Sequence, residues 1–310
     1  MAAPSGLQAA TFRYFHFNPE VHSREKPYEI LINLPLGEKD PNYRRHNKEF
    51  EEHRVPIQDA RGREDEFTLD KNSFCWRHWE GPESWRGIDA EGVKALGNEE
   101  VEATYIKEVE SFIASQLEHQ DGKAVDFVKV FDYRLRASMN QDAFDQRTLD
   151  LDDGLDPMRP VSFPHVDQSF IGAIKRVHEH MGDQAHDLLK RRWRVVNVWK
   201  PLKAVTNWPL ALCNTVSVHQ DDLVASDLIR RRTVGESWYC KYNPAHEWYY
   251  LSNQEPHEVT MLKIQDSKDD EPVRFCLHSS FQLEGEYSGE GRQSFEVRAL
   301  VFDKPLANED

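Results

Sequence analysis

The sequence lacks any run of about 18 apolar residues, the length a helix needs to cross a bilayer, so no transmembrane helix is expected. Its first residues, MAAPSGLQAATFRYF, contain no basic segment followed by an apolar stretch, so no signal peptide is expected either. Only four cysteines occur in 310 residues: Cys75, Cys213, Cys240 and Cys276. None is in CxxC spacing, which argues against a zinc knuckle or a dense disulfide framework and for buried thiols in a reducing compartment. A soluble, cytoplasmic protein is the expectation. No GxGxxG, P-loop or GxSxG elbow is present, and no cysteine has the histidine context of a nucleophile. Positive charge is also scarce: 39 Lys and Arg face 54 Asp and Glu, a formal net charge of −15. Such a field repels phosphate backbones, so nucleic acid is not expected as a general partner.

What the chain does have is aromatic and apolar mass. Eight Trp, sixteen Phe and ten Tyr, within a 39% hydrophobic total, can build a substantial core. There is no internal repeat, and no composition shift marks a second domain. The expected organisation is a single domain over 1–310. Within it, 1–160 supplies N-terminal extension strands and a helix, and 161–303 forms the core with an inserted helix over 168–192. YEILINLPL (28–36) reads as a strand, with further candidates around Val55–Asp59 and Glu66–Trp76 and a turn near Gly62. Val101, Tyr105, Val109, Phe112, Ile113 and Leu117 recur at helical spacing, predicting a helix from about Asn98. Residues 123–138 read as a strand. Residues 141–160, rich in Asp with Gly154, Pro157 and Pro160, read as a loop placed to cover a site at His165. After RVVNVWKPL (194–202) come PLALCNTVSV, SWYCKYN, EWYYLSN, EVTMLKIQDS, VRFCLHSSF and SFEVRALVF, separated by turn residues. Short strands at this spacing predict a mainly β fold with added helices around a double-stranded β-helix (jelly-roll) core.

One stretch raises a question of chemistry. In SFPHVDQSF, His165 and Asp167 are two residues apart, which on a strand puts both side chains on one face. Two histidines and one carboxylate form the facial triad of non-haem Fe(II) oxygenases. The pair alone is weak, because fourteen histidines and many aspartates generate such spacings by chance. His278, on the strand-like RFCLHSSF, is the candidate third ligand. His257 reads as a turn residue, His246 as a turn or strand edge, and His219 as exposed. His178, His180 and His186 lie on the predicted helix. In GRQSFEVRALVF, Arg292, Ser294, Glu296 and Arg298 share a face opposite Phe295 and Val297. Arg292-Gln293-Ser294 is a candidate dicarboxylate clamp, since a guanidinium matches a carboxylate in a two-pronged pair. The plainer reading leaves Arg298 paired with Glu296 or with surface charge.

Several of these stretches together carry a resemblance. VPIQDARGREDEFTLDKNSF, PHVDQSF, RRWRVVNVWKPL, WPLALCNTVSVHQDDLV, EWYYLSNQEPHEVTMLKIQDS, LHSSF and RQSFEVRALVF run in order from about residue 50 to 303. The chain resembles the fungal and bacterial hydroxylase/desaturase family typified by aspergillic acid hydroxylase and the cephalosporin 7α-methoxylase subunit. That family is similar to the Fe(II)/2-oxoglutarate oxygenases. The resemblance implies that His165, Asp167 and His278 hold iron and carry catalysis, and that Arg292 and Ser294, with Arg298 in reserve, hold 2-oxoglutarate. It implies that Arg194, Asn197 and Trp199 border the substrate pocket. The departures are Lys200 where arginine is common, Leu277 where proline is common, Asn214 where aspartate is common, and Ile264-Gln265 before Asp266-Ser267. None removes a ligand. The expected function is tailoring of an apolar natural product, with Trp193, Trp199, Trp208, Trp238, Trp248 and Tyr249 as candidate pocket walls or as core. Two other readings stand beside it. One is a non-oxidative dehydrating cyclase of the hetero-Diels–Alderase type on the same scaffold. The other is a non-catalytic partner subunit. A homodimer is the assembly considered, through the N-terminal strands or the 168–192 helix.

Overall fold

A computed structural model of the chain describes residues 8–32, 44–121, 124–138, 150–283 and 291–305. Fourteen strands among these residues form two facing sheets. The larger has nine strands. In spatial order they are β1 (Gln8–His16), β3 (Glu49–Asp59), β11 (Trp248–Tyr250), β8 (Leu210–Cys213), β13 (His278–Ser280), β6 (His165–Val166), β10 (Val234–Cys240), β9 (Leu223–Ile229) and β2 (Tyr28–Ile30). The smaller runs β4 (Phe74–His78), β12 (Glu258–Asp266), β7 (Trp193–Pro201), β14 (Gln293–Asp303) and β5 (Val125–Ala137). Late in the chain the strands alternate between sheets: β12 in the smaller, β13 in the larger, β14 back in the smaller. This is the jelly-roll arrangement that the strand spacing predicts.

Alternation along β7 and β14 separates two cores. Trp193, Val195, Trp199, Leu300 and Phe302 face inward, into the space between the sheets. Val196, Val198, Phe295, Val297, Ala299 and Val301 face outward and pack beneath the helices that span residues 90–121. Each such fully buried side chain contributes roughly 1.5–3 kcal/mol. The first helix, Ala90–Val101, is interrupted at Gly97, whose φ of 76° and ψ of 163° suit a residue without Cβ. The predicted start near Asn98 therefore marks the second segment of this helix. It continues through one π-turn, Glu102–Ile106, into Lys107–Asp121. Tyr105, Val109, Ile113 and Leu117 are all buried, as their spacing requires.

Other boundaries differ from the reading of the sequence. The stretch Glu66–Trp76 is a strand only from Phe74, because Thr68 caps a short helix, Leu69–Asn72, by accepting from the Lys71 amide at 3.2 Å. The expected strand over 28–36 is a strand at Tyr28–Ile30, and its part beyond residue 32 lies outside the described residues. Two strands escaped notice. β1 pairs antiparallel with β3 along its whole length, so the N-terminus is an integral edge of the large sheet. β9 pairs with β10 over seven residues. Of the 141–160 loop, residues 141–149 lie outside the described residues. The rest is held against β5, where the Met158 amide donates to the Leu135 carbonyl at 3.0 Å. The inserted helix is Phe170–Met181, ended by Gly182. No helix of the described residues is long and apolar enough to cross a membrane.

Candidate metal centre

β6 and β13 are neighbours in the large sheet, and His165 and His278 are register partners. Their ring centroids lie 4.3 Å apart. Asp167 follows β6 at the turn into the helix Phe170–Met181. It is fixed there by its carbonyl, which accepts from Ser237 Oγ at 2.7 Å, and by Ser169, the cap of that helix. Gly172 lets this helix sit against β10, because a Cβ there would collide with the Glu236 carbonyl. As a result, Asp167 Oδ1 lies 3.5 Å from His165 Nε2 and 3.7 Å from His278 Nε2. Among the described residues this is the one group of three or more such side chains with convergent ligand atoms. The opening histidine–aspartate pair is thus joined by the predicted third ligand.

The rings are held for coordination. His165 Nδ1 bonds the Phe163 carbonyl at 2.9 Å, and His278 Nδ1 bonds the Cys276 carbonyl at 3.1 Å. A carbonyl only accepts, so each Nδ1 carries the proton and each Nε2 presents a lone pair to the centre. Burial, with His165 alongside, pushes the His278 pKa down to about 4, which keeps it neutral and ligand-ready near neutral pH. Burial alone would raise Asp167. The Arg298 guanidinium outweighs that and holds the carboxyl well below its ordinary range. Two imidazole nitrogens and a carboxylate oxygen, converging at a buried position, fit a divalent cation.

The other predicted residues divide clearly. Asn197 points at the centre, its Nδ2 donating to Asp167 Oδ2 at 3.2 Å. Arg292 is 3% exposed, and its Nη1 donates to the Trp208 carbonyl at 2.8 Å and to Ser280 Oγ at 2.6 Å. Its guanidinium lies 5.2 Å from the Trp199 ring centroid, a cation–π contact. No carboxylate lies within ion-pair distance of it among the described residues, and burial, with Arg136 nearby, pushes its pKa down to about 9. Among the described residues, Arg292 Nε, Ser294 Oγ and Trp199 Nε1 are buried without a hydrogen-bond partner. A buried cation flanked by unused donors fits a ligand carboxylate.

Arg298 is different: it pairs with Asp132 at 2.7 Å and lies 3.6 Å from Asp167 and from Glu296. Surrounded by three protein carboxylates, it has little left for a ligand. Arg194 is a correction. It does not border the pocket, because it has the opposite parity to Asn197 and Trp199 on β7 and ion-pairs with Asp303. Trp193 and Trp248 are also core, Trp248 donating to Tyr14 Oη at 3.0 Å. Trp208 borders a cavity of about 310 Å³ beside Phe163 and Arg136.

β5 supplies residues the sequence reading missed. Its Asp132, Arg134 and Arg136 stand opposite Arg298, Glu296 and Ser294 on β14. Arg136 bonds Glu296 at 2.7 Å. The signal was present as polar residues at every second position in DYRLR, masked by the apolar positions that identify the strand. The remaining histidines lie elsewhere. His257 is in a turn, His219 is exposed, and buried His246 pairs with Asp222 at 3.1 Å.

Comparison with known proteins points the same way. A family model described as an oxidoreductase/YMDC permease-like domain matches residues 13–302. The chain is 31% identical over 262 residues to the hydroxylase/desaturase efuI of Hormonema carpetanum, covering 80% of this chain and 83% of that protein. It is 30% identical over 273 residues to the hydroxylase/desaturase CTB9 of Cercospora beticola, covering 82% and 78%. It is 27% identical over 290 residues to the Fe(II)/2-oxoglutarate-dependent dioxygenase nvfI of Aspergillus novofumigatus, covering 92% and 93%. The solved structure of the iron and alpha-ketoglutarate-dependent endoperoxidase NvfI superposes with a TM-score of 0.77 at 24% identity, over 96% of this chain and 98% of that one, and shows the shared fold. With a family model spanning nearly the whole sequence and two relatives at 30% identity or above, the chain belongs to the oxidoreductase family of these hydroxylase/desaturases.

Proposed function

We propose that the chain is an Fe(II)/2-oxoglutarate-dependent hydroxylase or desaturase that tailors a small natural product. The observation that carries this is the convergence of His165 Nε2, His278 Nε2 and Asp167 Oδ1, with both Nδ1 protons committed to backbone carbonyls. His165, Asp167 and His278 would hold the iron. Bound there, iron with 2-oxoglutarate as electron donor and dioxygen as oxidant would supply the chemistry to remove hydrogen from an unactivated C–H bond. Arg292 would take the distal carboxylate of 2-oxoglutarate, with Ser294 Oγ as a further donor and Trp199 supporting the guanidinium from its ring face. Asn197 orients Asp167, and the Arg298–Asp132 and Arg136–Glu296 pairs fix the charges of the facing wall. The buried aromatics between the sheets keep water from the reacting region. A non-oxidative cyclase needs no lone-pair-oriented triad, and a silent subunit needs no buried unpaired arginine. Both features favour the oxidative reading.

The test is the visible spectrum of the protein loaded anaerobically with Fe(II) and 2-oxoglutarate. The expected outcome is a weak charge-transfer band that disappears in His165→Ala. A folded, iron-replete protein without the band would overturn the proposal.

A further inference from the structure

Beside the metal centre lies a second pocket that nothing above accounts for. It is a cavity of about 510 Å³ between β5, the helix Phe170–Met181 and the turn joining β9 to β10. That is the size of a small-molecule site. Its walls carry five arginines, Arg134, Arg176, Arg230, Arg231 and Arg232, against three acids, Asp132, Asp152 and Glu179. Glu179 takes Arg176 at 2.7 Å, and Asp132 takes Arg298 at 2.7 Å. Arg134, 4% exposed, donates only to backbone: Nη1 to the Asp153 carbonyl at 2.6 Å and Nη2 to the Leu151 carbonyl at 3.3 Å. Arg230 Nη1 donates to the same Leu151 carbonyl at 3.3 Å. Among the described residues neither has a carboxylate within ion-pair distance. Burial pushes both guanidinium groups down in pKa, and both feel Arg298 as a like charge. Arg231 and Arg232 add two exposed charges at the rim. This local excess runs against the −15 of the whole chain.

The pocket lies one side chain away from the metal centre. Asp132, in its wall, stands opposite Arg298, whose Nη1 lies 3.6 Å from Asp167 Oδ1. One arginine side chain therefore separates the cavity from a metal ligand. We propose that this cavity seats a substrate bearing a carboxylate, which Arg134 and Arg230 bind while the rest of the molecule extends toward the metal centre. The proposal rests on the oxygenase reading for the word substrate, and on the pocket alone for the carboxylate. It revises the expectation of a purely apolar substrate. It also gives the site two separate guanidinium stations with no carboxylate partner among the described residues: Arg292 beside Trp199 for the co-substrate, and Arg134 with Arg230 for the substrate. A charge-assisted pair to a buried guanidinium discriminates strongly against a neutral isostere.

The experiment is calorimetric titration of the metal-free protein with 1-naphthylacetate and with its neutral isostere 1-naphthylacetamide. The acid is expected to bind at least about tenfold more tightly than the amide. That preference should collapse in Arg230→Gln and return in Arg230→Lys, which restores charge on a half-buried turn without disturbing the core. Equal binding of acid and amide, a preference that survives Arg230→Gln, or no binding of the acid below about 10 mM would overturn the proposal. The charge-transfer band with Fe(II) and 2-oxoglutarate is recorded on the same proteins. An intact band in Arg230→Gln is expected. Its loss there would assign the pocket to 2-oxoglutarate and sink the substrate assignment. Absence of the band in the unaltered protein, with the acid preference intact, would overturn the oxygenase reading and leave the anion pocket standing.

Discussion

Two buried aspartates in this molecule have opposite surroundings. Asp266, at the end of β12, is closed on every side. Arg192 reaches it with Nε at 3.1 Å and Nη2 at 2.7 Å, Lys263 Nζ lies at 3.1 Å, and the Lys268 amide donates at 3.1 Å. Asp167 is also buried, yet among the described residues its Oδ1 has only His165, Arg298 and His278 at 3.5, 3.6 and 3.7 Å. A single hydrogen bond, from Asn197, reaches its Oδ2. Both carboxyl groups are held low, Asp266 at about 2 and Asp167 in the same direction. The difference is that one charge is completed by the protein itself and the other is left short of partners, where a cation would complete it. A finished ion-pair network is structural; an unfinished buried one is a site.

Exchanging the two charges for amides should separate these roles most sharply. Asp266→Asn leaves Arg192 and Lys263 uncompensated in the interior and should cost about 3–5 kcal/mol in urea unfolding. Asp167→Asn removes a charge that faces Arg298 at 3.6 Å but makes none of the direct guanidinium and ammonium contacts that close Asp266, so the metal-free protein should lose clearly less stability than Asp266→Asn does. Its 2-oxoglutarate turnover, however, should fall on the order of a thousandfold, because an amide oxygen is a poor ligand for a hard cation. Equal losses of stability in the two variants would erase the distinction.

How much of this could be read from the sequence follows from what strands advertise. The His165, Asp167 and His278 triad was legible because a two-residue spacing on a strand fixes a common face, and because LHSSF recurs among motifs in a fixed order. Asn197 and Trp199 were legible for the same reason. Parity should also have excluded Arg194, which is one residue out of step with both. The β5 ladder of Asp132, Arg134 and Arg136 was missed because the neighbouring Val and Phe residues dominate the reading of that segment. Arg230 could not be found at all. It enters its pocket through the turn between β9 and β10, and no local pattern encodes which distant wall a turn residue faces. β1 was hidden by the ordinary composition of QAATFRYFH, whose strand character depends on pairing with β3 some forty residues on.

Metal binding should sharpen the contrast from the other direction. A cation that binds only the folded state at 100 times its Kd adds about 2.7 kcal/mol. Adding Fe(II) anaerobically, or Co(II) in air, should therefore raise the unfolding midpoint of the parent protein and leave that of Asp167→Asn in place. A rise in both would put the ion somewhere other than this triad.

Acid should act on the closed pair. Asp266 is at about 2 in the folded protein against an ordinary 3.8, so the folded state holds fewer protons and acid favours unfolding. Its contribution, about 2 kcal/mol, is fully present above pH 3.8 and lost as pH falls toward 2. In urea titrations of the metal-free protein, the stability gap between the parent and Asp266→Asn should narrow over that window and be flat from pH 5 to 7. A gap that stays constant down to pH 2 would mean that packing, not charge, makes Asp266 matter.

The smallest effect expected is at Asn197, and it asks whether the open carboxylate is held in place or merely happens to face its histidines. Asn197 Nδ2 makes the one hydrogen bond to Asp167 Oδ2, at 3.2 Å, and so resists rotation of the carboxyl plane away from the two Nε2 atoms. Groups that orient ligands in this way typically set metal affinity within a factor of about 10–100. Asn197→Ala should weaken Co(II) binding by about tenfold. Asn197→Asp is the more telling substitution. It replaces a donor with a second carboxylate beside Asp167 and close to Arg298, which has Asp132 already at 2.7 Å. If orientation is what matters, both variants bind metal more weakly than the parent. If only the summed negative charge matters, Asn197→Asp binds more tightly and Asn197→Ala is unchanged.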